Sequence, residues 1–153
     1  ETRRRASRLV VHESEITDVR PLVQTRIRVD RFTGGAMDNY LFNEAPVFGG
    51  EKSRLVLRLN LCNPEDYEIG LLLLLLKDLW TGDLPLGGES SVGRGRLRGL
   101  RSSLSLLQHA TKITWTIVPE GNRLGITSVP RQDDVWHSLE MYVQTLNDHL
   151  AGR

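Results

Sequence analysis

The chain has 153 residues, 39% hydrophobic and 25% charged, with 20 Lys+Arg against 19 Asp+Glu for a net charge of +1. This length predicts one domain over residues 1–153 with a sizeable core. The composition excludes a disordered tail, a collagen-like fibre and a disulfide mini-protein.

Arg8 to Val11 reads as a short strand. Residues 19–32 alternate, with Leu22, Ile27 and Val29 opposed to Arg26, Arg28 and Asp30, which predicts a half-buried strand with a bulge near Gln24. Thr33-Gly34-Gly35-Ala36 breaks it as a turn, an irregular segment follows to Pro46, and Phe48-Gly49-Gly50 is a second turn. Residues 54–61 form the cleanest strand, with Leu55, Leu57, Leu59 and Leu61 on one side. Asn63-Pro64-Glu65-Asp66 starts a helix, with Asn63 as N-cap, and the helix stops at Thr81-Gly82. Its leucine run, 71–76, is apolar nearly all round and predicts burial on most sides.

A glycine-rich loop, 86–99, then passes into a basic strand. Lys112 to Val118 is a strand with Ile113, Trp115 and Ile117 on one face, and Glu120-Gly121-Asn122 is a turn. Asp133 caps a terminal helix whose apolar set is Val135, Trp136, Leu139, Tyr142, Val143, Leu146 and Leu150. The fold class is α+β, an antiparallel sheet with helices on one face.

Lysine occurs only at Lys52, Lys77 and Lys112, so 17 of the 20 cations are Arg, the side chain suited to bidentate phosphate contacts. For scattered Arg, an Arg-rich genome is the preferred reading. Cys62 has no internal partner, the start of the chain lacks an apolar signal region, and the longest apolar run is too short to span a membrane. These features predict a cytoplasmic, reducing setting.

Gly88, four residues, then Gly93-Arg94-Gly95 has the outline of a phosphate-binding P-loop. Arg94 replaces the lysine, Gly95 replaces the hydroxyl residue, and the order of helix and strand is reversed. Two uses stay open. Gly87, Gly88, Gly93 and Gly95 let the backbone turn tightly against a helix, or they bring backbone N–H groups to an anionic chain that Arg94, Arg96 and Arg98 neutralise. On a strand those three arginines share one face. Arg26, Arg28 and Arg31 form a second basic element beside a Gly-Gly turn, which fits a solvated strand face or a protruding hairpin.

Catalytic patterns are sparse. His12, His109, His137 and His149 form no zinc-ligand spacing; His137 and His149 read as surface residues, His109 as structural, and Cys62 as buried. Asp18 and Asp38 flank the hairpin and are a pair able to hold a metal.

Arg28-Val-Asp-Arg-Phe-Thr-Gly-Gly-Ala36 with Leu41-Phe42-x-Glu44, and Leu86-Gly-Gly-x-Ser-Ser-x-Gly-Arg-Gly-Arg96, together resemble the RAMP superfamily of CRISPR ribonucleoprotein subunits, most closely the backbone subunits of type III effectors. The resemblance covers roughly residues 8–118 and implies a modified ferredoxin-like, RRM-related fold whose N-terminal part lies before this chain. It implies a thumb-like hairpin over 19–50, with Arg26, Arg28, Arg31 and Met37 in or near it. It implies RNA contacts by the loop residues Gly87, Gly88, Ser90, Ser91, Gly93, Arg94, Gly95 and Arg96.

The implied partners are CRISPR guide RNA, target RNA and other RAMP-type subunits stacked in a filament, with no membrane. Single-stranded RNA suits such sheets and basic loops. No resident cofactor is implied. The alternative is a metal-dependent endoribonuclease that cleaves target RNA or processes guide RNA. It would use Mg2+ with Asp18 or Asp38, or a histidine such as His12, and its catalytic residue is not assigned. The apolar helix also predicts a chain covered by other polypeptide in an assembly.

Overall fold

A computed structural model describes residues 6–108 and 110–152. The expectation for His109 lies outside them. The chain divides after Asn63 into two units.

In the first unit, six strands pair as nested antiparallel couples. β1 (Leu9–Val11) pairs with β6 (Leu59–Leu61), β2 (Ile16–Pro21) with β5 (Val47–Leu55), and β3 (Gln24–Val29) with β4 (Ala36–Glu44). The unit is one long, interrupted hairpin that reverses at residues 30–35. Segment 37–44, expected to be irregular, is strand β4, and Gly49 and Gly50 lie within β5 rather than in a turn.

The single strand expected over 19–32 is two strands. Pro21 ends β2 opposite Val47, and Leu22 N–H donates to the Pro46 carbonyl at 3.0 Å. Two prolines thus face the break, and neither can donate to a ladder. The phase change read near Gln24 is this break.

The strand expected over 54–61 is also divided, and the pairing shows why. Between Val11 and Ile16 lie four residues, while between their partners Leu59 and Leu55 lie three. A continuous ladder cannot absorb that mismatch. His12 N–H to the Arg58 carbonyl (3.0 Å) and Ser14 Oγ–H to the Val56 carbonyl (2.6 Å) hold the chains together instead. A larger irregularity places residues 50–53 opposite Asp18, where Ser53 Oγ accepts from Gly50 N–H at 2.8 Å and donates to the Asp18 carbonyl at 2.5 Å.

No described residue of this unit is buried. Main-chain bonds hold it together, and a two-stranded ribbon without a core is marginal by itself in water.

Among the described residues, the buried apolar side chains, Ile69, Trp115, Ile117, Leu139 and Leu146, all lie in the second unit. Helix α1 (Asp66–Thr81) is capped by Glu65, not Asn63. Glu65 and Glu68 form a reciprocal capping box, with the Glu68 carboxylate accepting from Glu65 N–H at 2.9 Å. Asn63, with a φ of 46°, turns the chain ahead of it. Gly82 closes the helix in the left-handed conformation.

Burial of α1 is one-sided. Ile69 and Gly70 are buried, whereas Leu71 and Leu75 are exposed. Gly70 lies so close to α2 (Val135–Ala151) that a Cβ would overlap the Tyr142 carbonyl. Tyr67 and His149 stack across the same helix pair with centroids 3.9 Å apart and planes 2° apart. His149 is therefore not a surface residue, and its Nε2 is buried without a hydrogen-bond partner. His137 is exposed.

Strands β7 (Ser102–Gln108), β8 (Thr111–Glu120) and β9 (Arg123–Val129) form an antiparallel sheet in that order. β8 fits the expected strand, with Trp115 only 1% exposed, its Nε1–H donating to Gln132 Oε1 at 2.8 Å. Gly121-Asn122 make the tight β8–β9 turn. Asp134, one residue later than expected, caps α2 by accepting from His137 N–H at 2.9 Å.

Candidate nucleic-acid interface

The tip of the hairpin is built by Asp30. Its carboxylate accepts from Phe32 N–H at 2.7 Å and Thr33 N–H at 2.9 Å, while Asp30 N–H donates to the Gly35 carbonyl at 2.8 Å. Gly34 takes a φ of 69°, which glycine adopts without strain. The N–H donors of Thr33 and then Phe32 hold the Asp30 carboxyl below its ordinary pKa.

This turn projects Phe32 with 94% of its surface exposed, beside exposed Arg31. Arg28 lies over the Tyr40 ring at 5.3 Å from its centroid. Arg26 pairs with Glu44 at 3.1 Å. Met37 is half-buried in the stretch of β4 that the bulge takes out of register, where Asn39 has a φ of 62°. Phe32 and Tyr40 were not singled out from sequence. The available signal was an aromatic residue set inside an arginine-bearing turn.

The glycine-rich loop lies in the other unit. It closes on itself through Leu86 N–H to the Gly95 carbonyl at 2.9 Å. A single 3-10 turn, Ser90–Val92, sits inside it, with Gly93 N–H donating to the Ser90 carbonyl at 3.0 Å. Gly95 has a φ of 76°, and a Cβ there would overlap the Leu86 carbonyl, so both sterics and conformation require glycine. Gly87, Gly88, Ser90, Ser91 and Gly93 are exposed.

The arginines do not line a strand. Residues 94–101 form no regular element, because this segment is used to finish α1. Arg94 folds back to pair with the Glu89 carboxylate. Arg96 Nη1 donates to the Gly82 carbonyl at 2.6 Å, and Gly99 N–H donates to the Trp80 carbonyl at 3.0 Å. A Cβ on Gly99 would overlap the Trp80 indole. Both uses read for the glycines are thus compatible with one loop: tight packing on a helix, and an exposed rim bearing Gly87 to Gly93.

His12 is exposed on the hairpin, Asp18 adopts a φ of 52° in the β2 bulge, and Asp38 is exposed on β4. Among the described residues, no three His, Cys, Asp or Glu side chains converge on a metal-sized site. Cys62 is exposed, contrary to expectation: it follows the end of β6, where its N–H donates to the Arg8 carbonyl, in a unit none of whose described residues is buried. Among the described residues, no helix is long and apolar enough to cross a membrane.

Comparison with known families places this geometry. The RAMP superfamily model matches residues 2–98, a span that contains the hairpin, α1 and the glycine-rich loop as far as Arg98. The chain belongs to the RAMP superfamily. Membership suggests a CRISPR-associated, RNA-binding subunit whose partners are CRISPR RNA and other Cas subunits. No curated protein and no solved structure matches the chain.

Proposed function

We propose that the chain is a guide-RNA-binding structural subunit of a type III-like CRISPR ribonucleoprotein complex, part of its backbone filament. The observation that carries this reading is the family match over residues 2–98, which includes both arginine-bearing segments.

The nested hairpin supports a thumb role for residues 19–50. Its tip offers an exposed aromatic ring, and arginines flank it, a combination suited to splaying bases while neutralising phosphates. Arg26, Arg28, Arg31 and Met37 would work there, with Phe32 as the inserted ring. The loop from Gly87 to Arg96 would cradle guide phosphates. Ser90 and Ser91 supply hydroxyls, and Arg94 exchanges its Glu89 partner for phosphate. The antiparallel β7-β8-β9 sheet with α1 and α2 is compatible with the α+β class of the family, and the modified ferredoxin-like fold with the hairpin as its insertion belongs to this proposal.

Copurification tests the reading. Chain purified through high salt should retain short RNA, seen as excess nucleic-acid absorbance that ribonuclease removes. Nucleic-acid-free protein that also fails to bind added single-stranded RNA would refute it.

A further inference from the structure

The outer edge of β7 carries the strongest signal outside the candidate interface. Among the described residues, β7 pairs only with β8, in unbroken register from Ser102↔Ile117 to Gln108↔Thr111. Its seven residues, Ser-Ser-Leu-Ser-Leu-Leu-Gln, include no charge, proline, glycine or bulge. The strand itself thus lacks the charges, proline and bulge that commonly stop an exposed edge from pairing. The opposite edge, β9, begins with Arg123, contains Gly125 and leads into Pro130.

We propose that this edge pairs with β7 of a second copy, antiparallel and centred on Ser105. The reason for choosing a second copy is that the strand is self-complementary. That register sets Leu104 opposite Leu106, Ser105 opposite Ser105, and Ser103 opposite Leu107. Opposed residues are always an even number apart, so the backbone groups turned outward on one copy meet those turned outward on the other.

The two-fold axis passes through the sheet, so faces match as well. Leu104 and Leu106 extend the face that holds Trp115 and Ile113, their β8 partners. Leu107, 73% exposed, covers the small Ser103 of the other copy. The product is one six-stranded antiparallel sheet, β9-β8-β7 joined to β7-β8-β9, with an isologous interface that closes at two copies.

Sedimentation of the full chain without RNA tests this. The wild type should run as a concentration-dependent dimer. Ser105→Lys and Ser105→Glu each oppose a charge to itself and should weaken dimerisation by up to about fivefold; mixing the two variants should restore it. Circular dichroism and tryptophan fluorescence would show that each variant is folded.

As a second readout, Ser105→Cys in a Cys62→Ser background should crosslink on mild oxidation, because opposed strand residues lie within disulfide reach. A monomeric wild type, a dimer indifferent to charge at Ser105, or no crosslink would overturn the proposal. Protection of the β7 edge only when a different polypeptide is added would assign the edge to that partner instead.

Discussion

Arg96 donates from Nη1 to the carbonyl of Gly82 at 2.6 Å, which ties the glycine-rich loop to the end of α1. That helix has no basic residue in its last turn, so Arg96 supplies from outside the cation that its C-terminus favours. A charged donor to a carbonyl contributes about 1.5–3 kcal/mol. Arg96→Ala should lower the stability of the second unit by about 1–2 kcal/mol in urea unfolding followed by tryptophan fluorescence. An unchanged midpoint would mean that the bond contributes nothing.

The same unit depends on a close helix crossing. Gly70→Ala drives a methyl into the Tyr142 carbonyl, and neither backbone can yield cheaply. Overpacking of this kind costs typically about 1–3 kcal/mol. The expected result is a fall of that size in unfolding free energy, against almost none for Gly88→Ser at the open loop rim, where a Cβ would meet nothing within 4 Å and the backbone is not left-handed.

Tyr142 gives a pH signature. Burial first, and the Asp66 charge second, raise the hydroxyl pKa above its ordinary value. The fold therefore favours the neutral phenol. Its contribution is complete below the unfolded-state value near 10 and is lost as pH rises through the higher folded value. Tyr142→Phe should flatten the alkaline limb of the stability–pH curve. A variant that loses stability above that pH as steeply as the wild type would contradict this.

How much of this could be read beforehand varies by element. β8 and α2 were legible because Trp115, Ile117, Leu139 and Leu146 bury one face each, so periodicity and packing agree. The hairpin was legible only in outline. Alternation reports a buried face, and a ribbon without buried residues has none, so strand limits were decided by Pro21, Pro46 and the register mismatch around Ser14.

The basic segment 94–98 read as a strand because its arginines alternate. Its conformation is fixed by contacts with Gly82 and Trp80, which are distant in sequence. The exposure of Phe32 follows from the Asp30 turn, whose two side-chain bonds could not be read from residue types alone.

Asp30 is the residue to test for that tip. Its lowered pKa means that the carboxylate's support is present above the ordinary carboxylate range and lost as pH falls through the folded value. Asp30→Ala should lower the amide-exchange protection factors of Phe32 and Thr33 at neutral pH, whereas in the wild type those protection factors should fall only in acid. Equal exchange in both proteins at neutral pH would remove Asp30 from the turn.

Phe32→Ala separates stacking from charge. Base–aromatic stacking is worth about 1–3 kcal/mol per base. The variant should bind guide–target RNA more weakly by that amount, with the salt dependence unchanged because no cation is lost. Wild-type affinity in the variant would exclude the tip from the RNA site.

The salt dependence of single-stranded RNA binding, read by fluorescence anisotropy, tests the RNA-binding claim most directly. Each phosphate contact adds about 0.7 to the slope of log affinity against log salt. Arg94→Ala should lower the slope by about 0.7, and the Arg94→Ala/Arg96→Ala double variant by about 1.4, at a temperature where all three proteins remain folded. A slope that stays at the wild-type value in both variants would contradict the account.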